Sequence, residues 1–309
     1  MPDPYVAEPS HRDLSGRQLS LLTLGVLGVS LSGPLMAAAT SVPALAMSLW
    51  RSGLGALAVA PRGLTAYRAE LIALPRRERV RSCFAGVMLA LHFAAWTTSL
   101  KHTSVASATA LVCLQAAWVV VLGRFGGAVT SGRVWLGLAL ALGGVLVVSG
   151  VDLTVSTEAL AGDALALVGG AFSALYTIVG GRVRQSASTS TYTLVCYTTS
   201  AVTLLAACLV GGVSITGFPL KGWLLILAVT VAAQLLGHSV FNHLLAVLSP
   251  TLISMTILLE VPGAALLAAV LLGQAPPVAV YAGLALICAG LAVVLTASQP
   301  RSPQPIPVD

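Results

Sequence analysis

The sequence predicts an all-α integral membrane protein: ten transmembrane helices in two inverted five-helix repeats, with both termini cytosolic. Three observations predict it. Only 8% of the 309 residues are charged, 57% are hydrophobic, and the mean hydropathy is +0.94; a soluble domain carries about 25% charge. The apolar residues fall in continuous runs, long enough for helical spans and unlike the short alternating segments of a β-barrel. Finally, the second half of the chain resembles the first. The net charge of +6 does not mark a nucleic-acid binder, because too little charged surface exists to solvate a globule of this size. The composition also excludes a disordered chain and a disulfide scaffold. The cysteines (Cys83, Cys113, Cys196, Cys208 and Cys288) are odd in number, contain no CxxC, and read as small buried hydrophobes.

Residues 1–17 form a polar cytosolic tail containing Asp3, Glu8, His11, Arg12 and Asp13. The apolar run that follows is too long for the core of a signal peptide and is read as retained. Ten runs then reach the length a bilayer requires: 18–39, 42–61, 83–100, 104–123, 134–151, 160–181, 191–211, 222–244, 250–272 and 277–297. Pro, Gly, Ser or a charge separates most of them, although the chain barely pauses near 40 and 248. The first repeat covers 18–151, the second 152–297, and a cytosolic tail covers 298–309.

Orientation follows from the basic residues. With the N-terminus inside, thirteen arginines fall on inner segments: Arg12, Arg17, Arg62, Arg68, Arg76, Arg77, Arg79, Arg81, Arg124, Arg133, Arg182, Arg184 and Arg301. The outer loops hold only Lys101 and Lys221. The outer loop after the fifth span carries Asp152, Glu158 and Asp163 instead. Arg51 remains, inside the second span.

The repeat has an offset of about 146 residues. Trp135–Leu140 resembles Tyr281–Leu286, Gly144 matches Gly290, and Val147-Val148 matches Val293-Val294. His92 lands on His238, and Gln115 lands one residue short of the same offset, on Glu260. Five spans per half is an odd number, so the halves enter the membrane from opposite sides. That arrangement is typical of transporters built around a central site.

Several stretches resemble the drug/metabolite transporter superfamily, in its ten-span form built from two EamA domains, over about 18–297. Gly162–Leu167, Ala171–Tyr176 and Arg182 resemble the start of a second EamA repeat. Gly237–Asn242 and Leu258-Leu259-Glu260 fit the same repeat; His92–Trp96 and Ser104–Ser107 fit the first. The chain departs from the family pattern where Ala116 follows Gln115, where Pro262 comes one residue late after Val261, and where Gln274 replaces an acid. The resemblance implies efflux or exchange of small metabolites through a central cavity in the cell membrane.

Polar groups within spans are costly and need partners or a watery cavity. Arg51 reads either as a contact for an anionic substrate group or as a structural arginine. Glu260 reads as the one acid inside a span; a carboxyl group away from water can hold a proton, which suits proton coupling, an amine contact, or a neutral hydrogen bond between helices. His92 and His238 occupy equivalent places, with Trp96 and Asn242 one turn from them. Together they could line a cavity, or simply pack. Gln115 is the first-half counterpart of Glu260, and Tyr176, Tyr197 and Gln234 stand in second rank. Gly33-Pro34 and Pro262-Gly263 read as kinks that could act as hinges.

A membrane enzyme is the rival class. There is no HExxH, no second intramembrane acid to pair with Glu260, and no Gly-rich phosphate loop with a lysine. No cofactor or metal is expected. The expected partners are a small-molecule substrate and membrane lipid, with a homodimer compatible and no nucleic acid. A passive facilitator of the same fold is the closest alternative to an active carrier; a lipid scramblase is more distant.

Overall fold

The computed structural model describes residues 14–125, 130–149, 156–273 and 278–295. The remainder of both expected tails, with Arg12 and Arg301, lies outside the described residues, as do Asp152 and Gln274. Among the described residues there is no strand.

The helices are α1 (Gly16–Ser30), α2 (Ser32–Ala38), α3 (Ala44–Leu64), α4 (Arg68–Ala73), α5 (Arg76–Ser99), α6 (Val105–Val112), α7 (Gln115–Phe125) and α8 (Gly132–Ser149) in the first half. The second half has α9 (Thr157–Val183), α10 (Thr189–Val210), α11 (Leu220–Val229), a π-helix (Thr230–Ser239), α12 (Val240–Leu244), α13 (Pro250–Ile257), α14 (Glu260–Leu272) and α15 (Val278–Leu295). Serine caps recur at helix starts: Ser15, Ser104, Ser156, Ser188 and Ser249 each accept a backbone N–H three residues on. Ser15 completes a capping box with Gln18.

Among the described residues, seven helical segments are long and apolar enough to cross a membrane: Gly16–Ala38, Arg76–Ser99, Ser107–Phe125, Thr157–Val183, Thr189–Val210, Leu220–Leu244 and Pro250–Leu271. Shorter apolar stretches occupy Gly132–Val147 and Tyr281–Gly290. Helix α3 has the length, at 21 residues, but Arg51 lowers its hydropathy.

Four of the expected continuous spans are interrupted. The first breaks at Leu31, where Pro34 offers no N–H to the Ser30 carbonyl. The ninth bends at Leu258-Leu259, just ahead of Pro262. The fourth bends at Cys113-Leu114 with no proline at all, through tight turns such as Leu114 N–H to the Leu111 carbonyl at 3.1 Å. The eighth widens into the π-helix. Two boundaries also move: α5 starts at Arg76 rather than 83, and α9 starts at Thr157 under its Ser156 cap. The short helix α4 (Arg68–Ala73), between α3 and α5, was not expected. Asp163 is a correction. It belongs to α9 rather than to a loop, it is 8% exposed, and it accepts from Ser107 Oγ at 3.1 Å. Glu260 is therefore not the only acid inside a spanning helix.

The two halves pack reciprocally. A Cβ on Gly144 of α8 would lie 2.4 Å from the Gly283 carbonyl oxygen of α15, and a Cβ on Gly290 would lie 2.3 Å from that of Gly137. These are the repeat-matched positions, each contacting the other's partner, as a local two-fold axis requires. Only glycine permits backbones to approach so closely.

Candidate functional site

A cavity lies among the helices, with about 560 Å³ of space between atoms when its open, solvent-facing part is included. Its lining comes from the first, third and fourth of the ten expected runs and from their counterparts in the second half, the sixth, eighth and ninth. Six of the seven residues expected to carry transport line it: His92, Trp96, Gln115, His238, Asn242 and Glu260.

His92 Nδ1 lies 3.0 Å from the Gly169 carbonyl oxygen. A carbonyl only accepts, so Nδ1 carries the proton and Nε2 is left as the acceptor. Trp96 stacks on His92 with centroids 6.1 Å apart and 3° between planes. It is 3% exposed, and its Nε1 has no hydrogen-bond partner; it belongs to the cavity wall rather than to an interfacial belt. The His238 ring lies 6.2 Å from that of His92, 5.2 Å from Phe93 and 6.0 Å from Tyr176.

Asn242 accepts from Tyr176 OH at 2.6 Å and donates to Tyr197 OH at 3.4 Å. Tyr197 in turn meets Ser239 Oγ at 3.0 Å. Ser239 Oγ donates to the Gln234 carbonyl, five residues back, at 3.0 Å, inside the π-helix that also places His238. Gln115, at the first turn of α7, accepts from Ser173 Oγ. Tyr176 is thus part of the wall, as are Ser173 and Thr177, which sequence reasoning did not single out.

Glu260 starts α14 directly after the bend and is 7% exposed. Among the described residues its side chain makes no hydrogen bond and no ion pair.

Arg51 stands apart. It is fully buried but does not line the cavity. Its Nε donates to Gln234 Oε1 at 3.0 Å, its Nη1 donates to Ser32 Oγ at 3.3 Å, and its guanidinium lies 3.9 Å from the Phe93 ring centroid. The nearest cavity-lining group it touches is Ser32. No ion pair joins Arg51 to Glu260.

The expected hinges converge. A Cβ on Gly263 would lie 2.2 Å from Ser30 Oγ, and Ser30 immediately precedes the Leu31 break. No group of three or more metal-ligating side chains occurs among the described residues.

Away from the cavity, other contacts join the halves. His102 Nδ1 lies 3.1 Å from Glu158 Oε1. Trp50 Nε1 donates to the Ile215 carbonyl at 2.7 Å, and Glu70 Oε1 accepts from Ser188 N–H at 2.6 Å. Lys101, beyond the end of α5, donates to the Ala39 carbonyl at 3.3 Å, and burial pushes its ammonium below the ordinary lysine value.

The profile of the EamA-like transporter family matches residues 17–150 and again 160–296. No curated protein matches the chain. Among solved structures, one crystal structure superposes with a TM-score of 0.70 at 19% identity, covering 89% of this chain and 95% of its own. That likeness shows a shared fold.

Proposed function

The chain belongs to the EamA-like transporter family, and from that premise we propose a secondary-active carrier that exports or exchanges small metabolites by alternating access. The observation carrying this reading is the cavity shared by matched helices of the two halves, with an unpaired carboxylate in its wall. Two copies related by a local two-fold can exchange conformations around one site. Membership in a transporter family also weighs against the enzyme reading.

In this proposal all ten helical segments cross the cell membrane and both termini are cytosolic. Residues 18–151 and 152–297 form the oppositely oriented halves. The exposed arginines at the end of α3, on α4 and at the start of α5 (Arg62, Arg68, Arg76, Arg77 and Arg79) fit the inner face. Glu260 serves as the coupling site, and His92, Trp96, Gln115, His238 and Asn242 form the wall that meets the cargo.

Proteoliposomes carrying the purified chain, with an imposed pH gradient and a panel of labelled amino acids, amines and drugs, test the reading. Accumulation driven by the gradient is expected for at least one compound. Counterflow that never becomes accumulation would replace the active carrier with a passive facilitator. Flux no faster than in empty vesicles would overturn transport.

A further inference from the structure

We infer that the cargo is an organic monocation: an amine carrying a flat apolar or aromatic body. This deepens the carrier reading and rests on it only for movement, not for binding. The argument starts from the charge inventory of the wall. No lysine or arginine is among the lining residues; Glu260 is the only acidic one. The nearby guanidinium of Arg51 is fully buried and lies outside the wall; its Nε and Nη1 donate to Gln234 and Ser32, its face lies over Phe93, and its Nη2 has no partner. An anion entering this cavity would lose its water and meet no cation in the wall. A cation would meet a carboxylate that makes no protein hydrogen bond.

The rest of the wall suits the body of such a molecule. Trp96 and Tyr176 offer aromatic surface, and Phe241 with Ile253 and Ile257 supplies further apolar surface. Aromatic faces attract cations through their quadrupole, and most strongly when desolvated. The His92 and Trp96 rings lie parallel, with 3° between planes and 6.1 Å between centroids, so a planar body aligns with them better than a branched one.

The same geometry sets the exchange. One carboxylate cannot hold a proton and an ammonium together. The ammonium enters as the Glu260 proton leaves to solvent, and the proton returns as the cargo departs. A monocation is therefore exchanged for one proton.

The test uses four compounds of nearly equal shape on the purified full chain in detergent: tyramine (cation), 4-ethylphenol (neutral), tyrosine (zwitterion) and 4-hydroxyphenylacetate (anion). Equilibrium dialysis is expected to show tyramine binding at least about tenfold tighter than the other three. Glu260→Gln should lose that preference, and Glu260→Asp should retain part of it, while gel filtration shows both variants folded. Equal or tighter binding of the anion or the zwitterion overturns the proposal. So does unchanged tyramine binding in folded Glu260→Gln, or no binding by any of the four. Tyramine binding without flux in proteoliposomes leaves the cargo class standing and removes the carrier reading.

Discussion

The rings of His92 and His238, 146 residues apart in the chain, lie 6.2 Å apart across the cavity. They are matched positions of the repeat, so the local two-fold relating the halves passes close to this pair. Their backbones are not matched. His92 sits on a regular α-helix and donates to Gly169, whereas His238 sits in a π-helix beside Phe93 and Tyr176. The second histidine has been re-aimed by one wide turn, a device that is frequent at functional sites.

If the two rings act on one cargo, their substitutions should not add. His92→Ala and His238→Ala are each expected to weaken tyramine binding, and the double variant should weaken it less than the product of the two. A coupling of about 0.5–3 kcal/mol is the usual range for residues sharing partners. Strict additivity in a dialysis-based double-mutant cycle would mean that the rings act independently.

Adjacent glycines on α8 should behave oppositely. A Cβ on Gly143 meets nothing within 4 Å, while one on Gly144 runs into the Gly283 carbonyl and Ile287. Gly143→Ala should therefore stabilise, by up to about 1 kcal/mol through helix propensity. Gly144→Ala should destabilise by about 1–3 kcal/mol through overpacking, and Gly290→Ala by a similar amount because it fills the reciprocal contact. Thermal unfolding of the three variants in detergent measures this. Equal melting points for the Gly143 and Gly144 variants would show that the interface is looser than the backbone approach implies.

Arg51 supports the wall, on this geometry, rather than meeting the cargo. Replacing it with leucine leaves Gln234 Oε1 without its donor, and Gln234 Nε2 already lacks a partner. Arg51→Leu should cost about 1–3 kcal/mol of stability, the penalty for an orphaned buried polar group. Adding Gln234→Leu should recover part of that loss. Tyramine affinity of the folded Arg51→Leu protein should not fall, since Arg51 reaches the wall only through Ser32 and losing its positive charge does not repel a cation. A tenfold loss with the melting point intact would put Arg51 in direct contact with the cargo.

The parts of this architecture that were legible in the sequence are those written as one-dimensional patterns. The offset between His92 and His238 and the glycine matches Gly137/Gly283 and Gly144/Gly290 were visible as spacing, because a repeat keeps its small residues where backbones touch. Glu260 and Trp96 stood out because polar and aromatic groups are rare in these runs. What stayed hidden depends on depth or on backbone geometry. Arg51 and Glu260 look alike on paper as lone charges in apolar runs, yet one faces the cavity and the other is sealed behind Ser32 and Phe93. The bend at Cys113-Leu114 has no proline to announce it, and the π-helix has no residue signature. Asp163 read as a loop acid because nothing in the sequence reveals Ser107 as its partner.

The last prediction concerns Ser30 and Gly263. Ser30 ends α1 beside the break that Pro34 imposes, and Gly263 follows Pro262 on α14, so two proline bends from opposite halves touch through one glycine. If the halves move against each other, this contact must slide. Gly263→Ala places a methyl where Ser30 Oγ now sits and should slow counterflow more than it weakens tyramine binding. Simple misfolding would reduce both together. Shrinking the partner tests the cause directly: Ser30→Gly in the Gly263→Ala background should restore the rate by reopening the space. If the rate stays low while binding and melting point are those of wild type, the contact is not what limits the motion. If Gly263→Ala alone transports at the wild-type rate, the bends are static features of the fold.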